Sequence, residues 1–125
     1  MDTFTRAYVK TALWSSNDGD DEPLDANYGI DDIDPDTLSK RVADCAAFQA
    51  RHYDLIVAEG SCLRCGPDYD EVGHAGHDFW LTRNGHGAGF WDGDWSKVAG
   101  TILDNAAKAY PEIDLYVGDD GKIHA

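Results

Sequence analysis

Several side chains able to do acid–base chemistry crowd one short stretch of this 125-residue chain. They are His77, Asp78, Arg83, Asn84, His86, Asp92 and Asp94. A histidine base held by a neighbouring carboxylate could be drawn from His77, Asp78 and His86. The surroundings argue against it. The chain has no nucleophile elbow, no phosphate-cradling loop and no H-E-x-x-H pair. A small hydrolase-like enzyme using His77, Asp78 and His86 therefore ranks behind the binding reading below, and no catalytic residue or cofactor is assigned.

A second set could coordinate metal. Cys62 and Cys65 form a C-x-x-C pair, and His74 and His77 follow it. Four such donors can close a tetrahedral zinc site. The spacing is unfavourable, because zinc fingers usually separate their pairs more widely and put three to five residues between the histidines. The sequence assigns no metal ligand, and a zinc-stabilised binding module stands as an alternative. The three cysteines, with Cys45, are an odd set. That speaks against a disulfide framework and fits a reducing compartment.

The third set is acidic. Asp18, Asp20, Asp21, Glu22, Asp25, Asp31, Asp32, Asp34 and Asp36 fall in one segment that has no Lys or Arg. A calcium loop of the EF-hand type ranks behind a solvated acidic loop, since its sixth position from Asp18 is Pro23 and not glycine. Over the whole chain the net charge is -14 and the pI about 4.3. Such a surface repels nucleic acid and anionic membrane, and it suits a basic partner. Carboxylates on a rigid body can stand in for phosphates in an Arg- and Lys-lined groove. Trp80 and Trp91 join the acids as candidate partner-binding residues, because an exposed aromatic beside carboxylates anchors an interface well.

These residues need a scaffold. One domain is expected from the length, with 42% apolar residues to build its core. No apolar run approaches the roughly 18–20 residues of a membrane span, and the N-terminal residues lack the pattern of a secretory signal. The expected location is the cytoplasm. Residues 3–15 carry Phe4, Ala7, Tyr8, Thr11 and Trp14 at helical spacing. Residues 17–36 read as an irregular loop, pinned by Leu24, Tyr28, Ile30 and Ile33. Asp34 as cap and Pro35 at the first position open a long helix through Leu55. Residues 60–77 read as loop or short helix, broken at Gly66-Pro67. Asn84-Gly85 predicts a hairpin turn between strands 78–83 and 88–92. Residues 95–109 predict a helix with Trp95, Val98, Ile102 and Ala106 on one stripe, and residues 113–124 a second hairpin. The expected fold class is α+β, a small antiparallel sheet of two hairpins with about three helices packed on one face.

The segments ALWSS, DDEPLDANYGIDDIDPDTLSKRVADCAAFQ, GHDFWLTRNGHGAGFWD and DLYVGDDGKI resemble a widespread family of small uncharacterised proteins of bacteriophages and mobile elements. The Cys62/Cys65 pair lies outside those segments. The resemblance implies a phage or prophage accessory protein acting in the host cytoplasm. Together with the charge, it leads to the expectation of a non-enzymatic binder of a basic host protein, itself nucleic-acid-binding. The sharper form is a DNA-mimicking inhibitor of a host defence complex, of the anti-CRISPR or antirestriction type.

Overall fold

A computed structural model of the chain describes residues 1–19, 22–65 and 70–125. Four helices make the body: α1 (Thr3–Ser15), α2 (Pro35–Val57), α3 (Glu71–Arg83) and α4 (Lys97–Lys108). One two-stranded antiparallel ribbon follows, β1 (Tyr116–Val117) with β2 (Ile123–His124), in which Tyr116 faces His124 and Val117 faces Ile123. No described helix is long and apolar enough to cross a membrane.

Each helix begins at a side-chain cap. Asp2 accepts from Thr5 N, Asp34 from Thr37 N, Asp70 from Val72 N and Ser96 from Ala99 N. Such caps satisfy amide hydrogens that the first turn leaves without a partner. Asp34 and Pro35 open α2 as the sequence predicts. The C-terminal hairpin also forms where it was expected.

The expected fold class is corrected. The protein is mostly helical, and its only described sheet is the C-terminal ribbon. The predicted hairpin over residues 78–92 is absent. Residues 78–83 are instead the second half of α3. Asn84-Gly85 ends that helix: Gly85 has φ 69°, His86 N donates to Leu81 O (3.0 Å), and Gly85 N donates to Thr82 O (3.3 Å). These paired bonds are the Schellman closure of a helix. A type I′ hairpin turn and this closure both require a left-handed residue, so the dipeptide alone does not separate them.

The central helix also lacks a legible period. His74, Ala75, Gly76, Asp78, Phe79, Trp80, Leu81, Thr82 and Arg83 are all buried. A helix covered on every side has no polar stripe to betray its 3.6-residue repeat. Its closest neighbour is α1, and at Gly76 a Cβ would collide with the Phe4 carbonyl. Phe48 of α2 stacks on Phe79 at 4.2 Å between ring centroids, and Phe4, Phe90 and Tyr110 surround that pair.

The stripe on α4 is shifted from the expected one. Ala99, Gly100, Leu103 and Ala107 face inward, while Val98 and Ile102 are exposed. The cause is close backbone approach. Phe90 O lies only 2.7 Å from where a Gly100 Cβ would be, so the small-residue face packs and the branched residues turn out.

Arg83, only 3% exposed, fastens the C-terminal segment. Its Nε and Nη2 donate to Pro111 O, and its Nη1 donates to Tyr8 Oη and to Asp44 Oδ2. Asn84 continues the clasp, donating to Trp80 O and accepting from Ile113 N. These two residues of the supposed catalytic stretch thus hold the fold.

Candidate functional site

Two groups of chemically capable residues emerge, one buried on α3 and one displayed on the acidic segment.

On α3, the spacing His74, His77, Asp78 is i, i+3, i+4, which puts three side chains on one helix face. His77 Nδ1 lies 3.0 Å from Asp78 Oδ1, and His74 Nε2 lies 3.3 Å from Asp78 Oδ2. Asp94 reaches the same nitrogen of His74, with Oδ2 at 3.1 Å. Trp95 Nε1 donates to Asp78 Oδ2 at 2.8 Å. Asp78 is fully buried, His74 nearly so, and the His77 side chain is 33% exposed.

The turn that delivers Asp94 and Trp95 is itself held. Asp92 accepts from Gly89 N and Asp94 N. Leu63 N donates to Asp94 O, and Ser96 N donates to Ser61 O, both at 2.7 Å. Arg64 lies outside the cluster, 3.3 Å from Asp94 Oδ1. Trp14 stacks on the His77 ring at 6.0 Å.

The Asp78–His77 pair orients an imidazole as a general base needs. No serine, threonine or cysteine side chain is bonded to His77 among the described residues. His86, the third member of the expected set, lies beyond the Schellman turn in a cleft lined by Ser15, Ser16, Asn17, Trp80, Asn84 and Glu112–Leu115. The geometry thus brings His77 and Asp78 together and leaves His86 elsewhere.

The C-x-x-C donors are also redistributed. The Cys62 and Cys65 sulfurs are bonded to each other, a local disulfide that the odd cysteine count speaks against. Cys45 is buried in α2, and burial pushes its thiol from the ordinary 9.0 up to about 12. The one group of metal-competent donors among the described residues is His74, His77 and Asp78, with one ligating atom of each within 4.8 Å of the others.

The acidic segment is a strap. It folds into two short 3₁₀ turns, Leu24–Ala26 and Ile30–Asp32. Leu24 N donates to Ser16 O and Asp34 N donates to Ile123 O, each at 2.8 Å. Leu24 and Ile33 are buried, and Tyr28 and Ile30 pack on the core as the sequence predicts. Asp18, Glu22, Asp25, Asp31 and Asp36 are exposed. Asp32 accepts from Gly29 N, and Asp34 caps α2. Asp20 and Asp21 lie outside the described residues, as does the Gly66-Pro67 breaker.

The two aromatic candidates part company. Trp80 is 1% exposed and donates to Ser15 Oγ, so it has no place on a binding surface. Trp91 is 55% exposed, but it lines a cleft with Leu63, Phe90, Trp95 and α4 residues, none of them in the strap. The aromatic beside the acids is Trp14, at 47% exposure. It shares an open cleft of about 410 Å³ with Lys10, Leu13, Asp25, Tyr28, Gly29 and Ile30. Helical spacing on α1 groups Trp14 with the buried Phe4, Tyr8 and Thr11, yet Trp14 is exposed. It sits on the last turn, where the strap's course decides what is covered. The role of Trp95 was also not foreseen, since it depends on α3 being a helix.

No family model matches the chain, and neither a curated protein nor a solved structure matches it.

Proposed function

We propose that this protein is a non-enzymatic binding protein that seats a basic segment of a host protein on the strap and Trp14. One observation carries the reading. Four strap carboxylates, with Asp36 on the first turn of α2 beside them, are exposed on a segment fastened at both ends, and one of them, Asp25, shares a cleft with the exposed indole of Trp14. An arginine entering that cleft would stack on the indole and pair with the Asp25 carboxylate. Among the described residues, Lys10 is the one cation lining the cleft.

A nucleic-acid-binding partner fits this chemistry. Its groove is built to accept spaced negative charge, and the strap offers that charge on a preorganised body. With the phage resemblance, the sharper form is inhibition of a host defence complex by occupying its DNA-binding surface. The protein itself would avoid nucleic acid and membranes, given its charge.

The test is capture of partners from host lysate at low and high salt, followed by competition with duplex DNA. The expected result is a basic nucleic-acid-binding protein, lost at high salt and displaced by DNA. Capture that ignores both salt and DNA would refute mimicry.

A further inference from the structure

We propose that His74, His77 and Asp78, flanked by Asp94, form a binding site for a transition-metal ion of the zinc class. Its ligands lie outside the strap, though Trp14 borders both sites, and the proposal does not depend on the strap's function.

The first argument is distance. Zinc bonds to imidazole nitrogen and carboxylate oxygen run about 2.0–2.2 Å, so neighbouring donors in a tetrahedral site stand roughly 3.3–3.5 Å apart. Here His77 Nδ1 to Asp78 is 3.0 Å, His74 Nε2 to Asp78 is 3.3 Å, and His74 Nε2 to Asp94 is 3.1 Å. These pairs, the two histidines on opposite oxygens of Asp78, stand near that spacing, and one ligating atom each of His74, His77 and Asp78 lies within 4.8 Å of the others.

The second argument is charge. Two carboxylate oxygens, Asp78 Oδ2 and Asp94 Oδ2, converge on the same nitrogen of a buried histidine. A single N–H cannot point well at both. A divalent ion between them would accept all three lone pairs and offset both negative charges. Binding would displace the protons now held on the histidine nitrogens that face the carboxylates.

The third argument is the supporting shell. Trp95 Nε1 donates to Asp78 Oδ2, Arg64 approaches the other oxygen of Asp94, and Trp14 stacks on His77. Groups of this kind hold ligands in place around a metal. His77 and Asp94 keep partial exposure, at 33% and 16% of their side chains, which leaves a route for the ion and for a water ligand. Imidazole with carboxylate selects zinc, copper, iron or nickel over calcium or magnesium.

The experiment uses the full chain with its Cys62–Cys65 bond intact, stripped with a chelator and titrated with Zn²⁺. Calorimetry, metal analysis and thermal melting are read together. One ion per chain and a raised Tm are expected. His77→Ala, at a half-exposed position that should leave the fold intact, removes a ligand and should weaken binding by more than about 100-fold, while Trp95→Phe, a supporting change, should weaken it by roughly 10–100-fold. The Cys62→Ser/Cys65→Ser double variant and His86→Ala should bind as the wild type does. The proposal is overturned if no stoichiometric zinc is held and the Tm stays fixed. It is equally overturned if His77→Ala binds normally, or if the double cysteine variant loses the ion.

Discussion

The strap and helix α3 are the two charged, polar regions that distinguish this chain, and they use their charges in opposite ways. The strap fastens itself with backbone bonds and buried Leu24 and Ile33, leaving Asp18, Glu22, Asp25, Asp31 and Asp36 in water. Helix α3 turns His74, Asp78 and Arg83 inward and gives each one partners. Exposed carboxylates contribute little to stability and act through long-range attraction, whereas buried ones are costly unless fully paired. The same residue types therefore mean binding in one place, and architecture or coordination in the other.

The sharpest way to break this contrast is Arg83→Ala. It leaves the Tyr8 hydroxyl and the Pro111 carbonyl without their donor and Asp44 with Arg41 alone among the described residues, so a loss of about 2–5 kcal/mol is expected. Urea unfolding would measure it, and Arg83→Lys should recover only part, since an ammonium cannot reproduce the fork.

Asp78→Asn comes next. It removes a fully buried carboxylate that accepts from Trp95 and faces both histidines. The expected loss is about 1–3 kcal/mol, for donors left without a full acceptor. A red-shift or intensity change in tryptophan emission would report the loosened Trp95, which is buried in the wild type.

A smaller effect concerns pH. Burial holds the Cys45 thiol protonated up to about 12 in the folded state, against an ordinary value of 9.0. The folded chain keeps a proton that the unfolded chain releases above 9. Stability therefore falls as pH rises from about 9 toward 12, and is unaffected by this group below 9. Urea midpoints measured across that window should fall less steeply for Cys45→Ala than for the wild type. Burial also raises the Tyr8 hydroxyl, so some slope will persist in the variant.

The smallest stability effect belongs to the strap. Changing Asp18, Asp25, Asp31 and Asp36 to Asn and Glu22 to Gln should shift stability by no more than about 0.5 kcal/mol per site. Asp32 and Asp34 are left untouched because they close turns and caps.

The same contrast explains what could be read from the sequence. Helices α1 and α2 announce themselves by apolar spacing and, for α2, by Asp34-Pro35. The strap announces itself by charge, proline and glycine. Helix α3 is silent because it is buried all round, and Asn84-Gly85 served a helix end as well as it would a hairpin. The strand reading begins at Asp78 and leaves His74 and His77 in the preceding loop. Only the helical spacing brings His74, His77 and Asp78 together, and only the tertiary fold brings in Asp94 and Trp95. The shift on α4 has a similar origin, since Gly100, a poor helix former by propensity, is the helix's contact point with Phe90 O. Trp14 was misplaced because helical period alone does not show where the strap ends.

The most direct test of the account is the salt dependence of partner binding for the wild type and the five-site strap variant. Affinity for the basic protein captured from host lysate would be measured across a series of salt concentrations. The account predicts a steep loss of wild-type affinity with salt, and both a weaker affinity and a markedly shallower slope for the variant at unchanged Tm. Equal affinity and equal slope for the two chains would contradict it.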